Sequence, residues 1–116
     1  MSNRPNTANV AASRARIETG DTGGVKVVGQ LTFATVPAMV NALHDRIRDA
    51  DGTLEIELSG VTHSDSAGLA LLVEWLRQAR RRQVALRFSR VPPQMREIAH
   101  VTSLERILAL DGGPET

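Results

Sequence analysis

Two segments of the chain alternate apolar and polar side chains, which is the pattern of half-buried β-strands. In residues 53–59, every second side chain is apolar, and the positions between them carry glutamates. A second alternating segment covers residues 84–88. The apolar positions of the first segment are Leu54, Ile56 and Leu58. We therefore expect two strands, each with one face against a core.

A hairpin is predicted before these strands. Residues 14–19 form a short strand candidate, and residues 25–31 are rich in β-branched side chains. The glycine-rich segment 20–24 between them is typical of a turn. Gly29 lies inside the second strand, where a glycine indicates a bulge.

Apolar residues at helical spacing predict four helices. The first begins after Thr35, a candidate N-cap, and has Pro37 in its first turn. The longest covers residues 67–82, and a short third helix opens at residues 92–93. Residues 102–105 read Thr-Ser-Leu-Glu, a capping box that predicts a fourth helix before the C-terminus.

The predicted order of elements is β-β-α-β-α-β-α-α. Strands that alternate with helices after an opening hairpin indicate an α/β fold with a mainly parallel sheet, covered by helices, and one antiparallel edge. We expect one domain over residues 14–110. Residues 1–13 and 111–116 are polar and are predicted to be an N-terminal and a C-terminal tail.

Composition narrows the function classes. The 116 residues carry a net charge of +1 and only 3% aromatic residues, which argues against nucleic-acid binding. The chain has no cysteine, and its three histidines do not match the spacing of metal ligands. We find no nucleotide-binding loop and no serine-nucleophile motif, so no enzymatic role, cofactor or metal is expected. No apolar segment approaches the length of a membrane span.

The segment with candidate chemistry follows the strand 53–59. There, Asp65, Ser66, Ala67 and Gly68 stand where a helix begins, at the carboxyl end of a predicted parallel strand. Binding sites in parallel sheets gather at this edge. Either Asp65 or Ser66 can cap the helix, and Gly68 allows close packing of the helix on the strand. A capping hydroxyl on an exposed loop is also within reach of a partner.

Residues 56–82, IELSGVTHSDSAGLALLVEWLRQARRR, resemble the signature of STAS domains. This family includes anti-sigma-factor antagonists and the tails of sulfate transporters. The resemblance extends from about residue 25 to residue 110 and includes the Gly-Gln-Leu-Thr motif of residues 29–32. It implies the STAS fold: a mixed sheet of four to five strands with helices packed on one face.

Within the family, residues 68–80 are most similar to MlaB-type subunits of the Mla phospholipid-transport ABC system. This similarity implies a non-catalytic adaptor that binds an ATPase subunit (MlaF-like) and, through it, a membrane permease. Its place would be the cytoplasm, at the inner face of the inner membrane through that partner. The partner-binding residues would lie in the loop and helix that begin at Ser64: Ser64, Asp65, Ser66, Ala67, Gly68, Leu71 and Trp75.

Two features of this segment each have two interpretations. Ser66 aligns with the hydroxyl residue that kinases phosphorylate in anti-sigma-factor antagonists, so the alternative function is a switch that binds an anti-sigma-factor kinase. Leu71 and Trp75 lie off the main apolar stripe of the helix. They form either an exposed patch beside Ser66 or part of the core under the first helix.

A basic run ends the same helix, with Arg77 followed by arginines at positions 80–82. Such a run is typical of a solvated helix end. The alternative is contact with an acidic partner or with anionic head groups.

Overall fold

The computed structural model describes residues 14–110 and contains a four-stranded sheet. The strands lie in the order β1-β2-β3-β4; β1 is antiparallel to β2, and the other two pairs are parallel. This confirms the mainly parallel sheet with an opening hairpin. The bounds are β1 Arg16–Thr19, β2 Val25–Leu31, β3 Thr53–Ser64 and β4 Ala85–Ser89.

Between residues 14 and 110, three α-helices and one 3₁₀ turn accompany the sheet. They are the 3₁₀ turn Val36–Met39, α1 His44–Asp49, α2 Ser66–Arg81 and α3 Pro93–Val101. The hairpin, α2 and α3 follow the expected order, and the first and last predicted helices differ. The terminal tails predicted at residues 1–13 and 111–116 lie outside the described residues.

The first predicted helix is divided into the 3₁₀ turn and the short α1. Its middle is held by side chains of α2: the carbonyl oxygen of Met39 accepts from Trp75 Nε1 at 3.1 Å, and that of Val40 accepts from Gln78 Nε2 at 2.9 Å. The intervening main chain makes tight turns instead, such as the bond from Ala42 N to the Met39 carbonyl (3.1 Å). Tertiary contacts therefore override the helical spacing of the apolar residues.

The fourth predicted helix is wrong, because the residues of the proposed capping box serve the end of α3 and the segment after them forms turns. The hydroxyl of Thr102 donates back to the carbonyl oxygen of Ile98 at 2.7 Å. Glu105 bonds to Nδ1 of His100 at 2.8 Å. Within residues 14–110, no main-chain N–H donates to the Thr102 hydroxyl, so this side chain does not act as an N-cap for the residues that follow.

Strand β3 is longer than predicted and continues through the residues expected to be a polar loop. It runs to Ser64 because its ladder with β2 continues, with Gln30 opposite His63 and Leu31 opposite Ser64. The register shifts twice along this pair, once next to Gly29. That glycine has a φ of +109°, and a Cβ there would overlap the carbonyl oxygen of Arg14, so the expected bulge is confirmed.

The core forms on one side of the sheet. In β2, buried side chains alternate with half-buried ones, and the buried set packs with β3 and the helices in one cluster. The largest fully buried side chain is the indole of Trp75. Burying large apolar side chains of this kind contributes about 1.5–3 kcal/mol each to folding.

Candidate functional site

The site lies where β2 and β3 end next to each other. Leu31 pairs with Ser64 at the last position of the ladder, and Asp65 N then donates to the carbonyl oxygen of Leu31 at 3.2 Å. From this edge, residues 32–35 lead into the 3₁₀ turn, and Asp65 leads into α2. The sequence predicted this location from the carboxyl end of a parallel strand.

Asp65 is the N-cap of α2. Its backbone is extended (φ −106°, ψ −168°), and its Oδ1 accepts from the main-chain N–H of Ala67 at 2.8 Å. The second carboxylate oxygen, Oδ2, accepts from the main-chain N–H of Phe33 at 3.3 Å. The structure thus decides between the two capping candidates in favour of Asp65. The same carboxylate also ties the loop after β2 to the start of α2.

Ser66 is the first residue of α2 and is exposed. Within residues 14–110, its hydroxyl makes no hydrogen bond, because Asp65 performs the capping. One donor and two acceptor positions are therefore open to solvent at the positive end of the helix. In the described part of the chain, no histidine bonds to this hydroxyl as an activating base would in a serine nucleophile.

Phe33 also belongs to the site, although the sequence did not predict it as a site residue. Its side chain is 74% exposed, although large aromatic side chains are usually buried. Its loop is held in place: the Thr35 hydroxyl donates to the Gln30 carbonyl oxygen (2.6 Å) and accepts from Thr32 N (2.9 Å). The sequence signal that could have indicated it was its position directly after the Gly-Gln-Leu-Thr motif of residues 29–32.

Ser64, Ala67 and Gly68 form the buried base of the site, so the expectation that they face a partner needs correction. Ser64 is 1% exposed, and its hydroxyl donates to the carbonyl oxygen of Asp65 at 2.9 Å. A Cβ added to Gly68 would overlap Ser64 Oγ and lie 3.0 Å from Leu31 Cβ. Gly68 therefore permits the close approach of helix and strand that the sequence suggested.

Of the two alternatives for Leu71 and Trp75, the exposed partner-binding patch is not formed. Both side chains are buried, at 1% and 0% exposure. Trp75 packs under the divided first helix, where its indole N–H donates to Met39. This is the core alternative that the sequence left open. The surface that remains, called the Ser66 surface below, consists of the exposed residues Phe33, Ser66 and Ala70.

Other kinds of site find no support in the described residues. Histidine, aspartate and glutamate side chains between residues 14 and 110 form no group able to hold a metal ion. Over the same range, none of the helices has the length and apolar character of a membrane span. The Ser66 surface offers one free hydroxyl and one exposed aromatic side chain on neighbouring segments, which suits contact with another polypeptide.

The fold and this edge define a STAS domain. The family model described as "Mlab, STAS domain" matches residues 15–110, and the chain belongs to this family. The family is the MlaB-type branch of the STAS domains, as the resemblance in residues 68–80 implied. Domains of this family are generally non-catalytic and mediate protein–protein interactions.

Solved structures share the fold at low sequence identity. The anti-sigma factor antagonist SpoIIAA in its unphosphorylated form is 17% identical, with a TM-score of 0.60 over 79% of this chain and 83% of that chain. Two structures of the anion transporter Slc26a9 also match. The murine transporter in the inward-facing state has a TM-score of 0.55 at 22% identity, over 66% of this chain and 13% of the transporter. The second, of the overall transporter, has a TM-score of 0.63 at 12% identity, over 80% of this chain and 20% of the transporter.

The comparison with curated proteins found no match to this sequence.

Proposed function

We propose that this chain is a non-catalytic adaptor that binds the ATPase subunit of an inner-membrane ABC phospholipid transporter through the Ser66 surface. The observation that carries the proposal is the unbonded, exposed hydroxyl of Ser66 together with the exposed side chain of Phe33, whose main-chain N–H bonds to the neighbouring Asp65. Membership of the MlaB-type family supports the choice of partner. The ATPase in turn would hold the adaptor at the inner face of the membrane, next to the permease.

The physical features of the Ser66 surface suit a protein partner. Aromatic side chains contribute strongly to interface hot spots. Phe33 stands on a loop that Asp65 and Thr35 already hold in place, so little conformational entropy is lost when a partner covers it. Adjacent to it, the Ser66 hydroxyl can donate and accept hydrogen bonds without giving up an intramolecular one. Contacts made at this surface would therefore contribute to the affinity of the complex with little loss of stability in the free chain.

An adaptor of this kind acts by mass action. A protein that binds only the assembled or competent state of the ATPase stabilises that state relative to the others. Its population therefore rises as the concentration of the adaptor exceeds the dissociation constant. No nucleotide site or catalytic group is needed in the adaptor itself. The transported lipid and the direction of transport would be properties of the ATPase and permease.

The direct test measures the affinity of the purified chain for the phospholipid-transporter ATPase of the same genome. Ser66→Arg places bulk and charge at the proposed interface, and we expect the dissociation constant to rise at least about tenfold, as for an interface hot spot. Thr53→Arg is the matched control, because Thr53 is also exposed but begins β3, roughly 36 Å away along that strand. Equal affinity for the two variants would refute the proposal.

The second candidate is an anti-sigma-factor antagonist switched by phosphorylation of Ser66. It is favoured by the accessibility of the hydroxyl and by the shared fold with SpoIIAA. A phosphate would add about −1.5 to −2 charges at neutral pH, next to the Asp65 carboxylate. Intact-mass measurement of native protein separates the two functions: stoichiometric phosphoserine at Ser66 supports the switch, and unmodified protein supports the adaptor. A switch also requires Ser66→Asp to lose its partner while Ser66→Ala retains it constitutively.

Residues 14–110 are also proposed to be the folding unit. The family match over residues 15–110 supports these bounds. A chain trimmed to residues 14–110 should unfold at the same temperature as the full chain, as measured by circular dichroism. A clearly lower midpoint would mean that the terminal segments belong to the domain.

A further inference from the structure

A groove lies between α1 and the C-terminal half of α2, away from the Ser66 surface. Its volume is about 310 Å³. On the α2 side, it is lined by Glu74, Gln78, Arg81 and the C-cap residue Arg82, which share one face by their spacing. Asn41 and His44 line the opposite wall.

The two walls of the groove are joined by hydrogen bonds. Gln78 Nε2 donates to the carbonyl oxygen of Val40 at 2.9 Å, and Trp75 Nε1 donates to that of Met39 at 3.1 Å. These bonds attach the chain just before α1 directly to α2. The relative position of the two walls is therefore fixed by the fold. The shape of the groove depends on these bonds as well as on the rotamers of its exposed side chains.

Its charge is positive. Arg81 and Arg82 are exposed, and neither forms an ion pair or side-chain hydrogen bond within residues 14–110. The one carboxylate in the lining, that of Glu74, is already engaged by Gln78 Nε2 (3.2 Å) and by Arg77 (3.5 Å). Two guanidinium groups thus face the groove without a counter-charge of their own.

These arginines are not needed to cap the helix. The main-chain N–H groups of residues 82–84 already bond to the carbonyl oxygens of Ala79 and Arg80. The carboxylates of α1 do not neutralise them either, because Asp45 and Asp49 are both bound by Arg48. Among the described residues, the favourable charge at the C-terminal end of α2 is therefore the structural role that remains for these two arginines.

We propose that the groove binds a phosphate ester of a small polyol, with the phosphate held by Arg81 and Arg82. Guanidinium groups bind phosphate oxygens through paired, charge-assisted hydrogen bonds. The amide of Asn41 and the ring of His44 offer donors and acceptors for hydroxyl groups on the opposite wall. The volume lies at the lower end of ligand sites, which suits a glycerol phosphate moiety, either as a soluble ester or as a lipid head group.

This site is independent of the proposed adaptor surface. Ser66 and Arg81 stand at opposite ends of α2, roughly 22 Å apart along the helix axis. Loss of anion binding would leave the ATPase interaction intact, and loss of the ATPase interaction would leave anion binding intact. Failure of one proposal is thus distinguishable from failure of the other.

The test uses the full chain and two probes. Calorimetric titration with sn-glycerol 3-phosphate, with neutral glycerol as the control ligand, measures binding of the soluble ester. Flotation with phosphatidylglycerol-containing vesicles, against vesicles of phosphatidylcholine alone, measures binding of the lipid head group. Saturable binding in either arm is expected, and the arm that responds identifies the source of the phosphate.

Three single-charge variants decide whether the groove is responsible. Arg81→Gln and Arg82→Gln should each weaken the binding about tenfold, because each removes one charge-assisted contact. Arg80→Gln removes the same charge from the same helix but lies outside the groove, so its affinity should equal that of the parent chain. An equal loss in all three variants would reveal non-specific attraction by net charge and would overturn the proposal. No saturable binding in either arm would overturn it as well.

Discussion

The carboxylate of Asp65 accepts a hydrogen bond from the main-chain N–H of Phe33 at 3.3 Å, although the two residues lie 32 positions apart in the sequence. The other oxygen of the same carboxylate caps α2. One side chain therefore orders both halves of the Ser66 surface. The arrangement explains why an exposed aromatic residue and a free hydroxyl stand together at this edge of the sheet.

Capping by Asp65 predicts different costs for two neighbouring substitutions. Asp65→Ala should lower the free energy of unfolding by about 0.5–2 kcal/mol, because it removes the acceptor for the first turn of α2. Ser66→Ala should change it by less than about 0.5 kcal/mol, because the Ser66 hydroxyl has no intramolecular bond to lose. Urea unfolding of both variants provides the comparison. Equal losses would mean that Ser66 shares the capping role.

Phe33 should matter for binding and not for stability. In the proposed complex, Phe33→Ser should weaken binding to the ATPase by about 2 kcal/mol or more, the range of an interface hot spot. Its melting temperature should stay near that of the parent chain, because the ring is 74% exposed. Val101→Ser is the control, since Val101 is 76% exposed on α3. Comparable losses of affinity in both variants would contradict the assignment.

Gly68→Ala should destabilise the protein, although alanine normally favours a helix over glycine. The added methyl group would overlap Ser64 Oγ, and overpacking of this kind costs about 1–3 kcal/mol. Adding Ser64→Ala should return part of that loss by removing the overlapping oxygen. A double-mutant cycle measured by urea unfolding quantifies this coupling, and strictly additive effects would argue against the contact.

Trp75 should act as a core residue. Trp75→Ala should cost about 3–5 kcal/mol of stability, as expected for a large cavity. Trp75→Phe retains most of the ring but removes the bond to the Met39 carbonyl, and we expect a smaller loss of about 1–3 kcal/mol. Thermal unfolding measures both. If the folded Trp75→Phe protein lost the ATPase, the indole would have a role at the interface after all.

The end of α2 offers a stabilising substitution. Gln83 has a φ of +59° and stands at the position after the helix where glycine is preferred. Gln83→Gly should raise the free energy of unfolding by about 1 kcal/mol, because it removes the cost of the left-handed conformation. Arg82→Gly, at a φ of −104°, should instead be neutral or destabilising. Chemical unfolding of the two variants checks the difference in sign.

Much of this architecture is determined by local pattern. Three features depend on one segment each and can be read from its own side chains. They are the alternation in residues 53–59, the glycine-rich turn of the hairpin and the apolar stripe of α2. The edge at which Asp65 and Ser66 stand also follows, because a parallel sheet brings its strand ends together. These features were therefore predictable without coordinates.

The tertiary structure alone decided which residues of the site are exposed. The first helix is divided because Trp75 and Gln78 bond to carbonyl oxygens that a continuous helix would use, and the same contact buries Trp75. Phe33 stays exposed because its loop is anchored by Asp65, a residue far away in sequence. The periodicity of apolar residues indicates the secondary structure that one segment favours. Burial and hydrogen bonding depend on the neighbouring segments that the fold places against it.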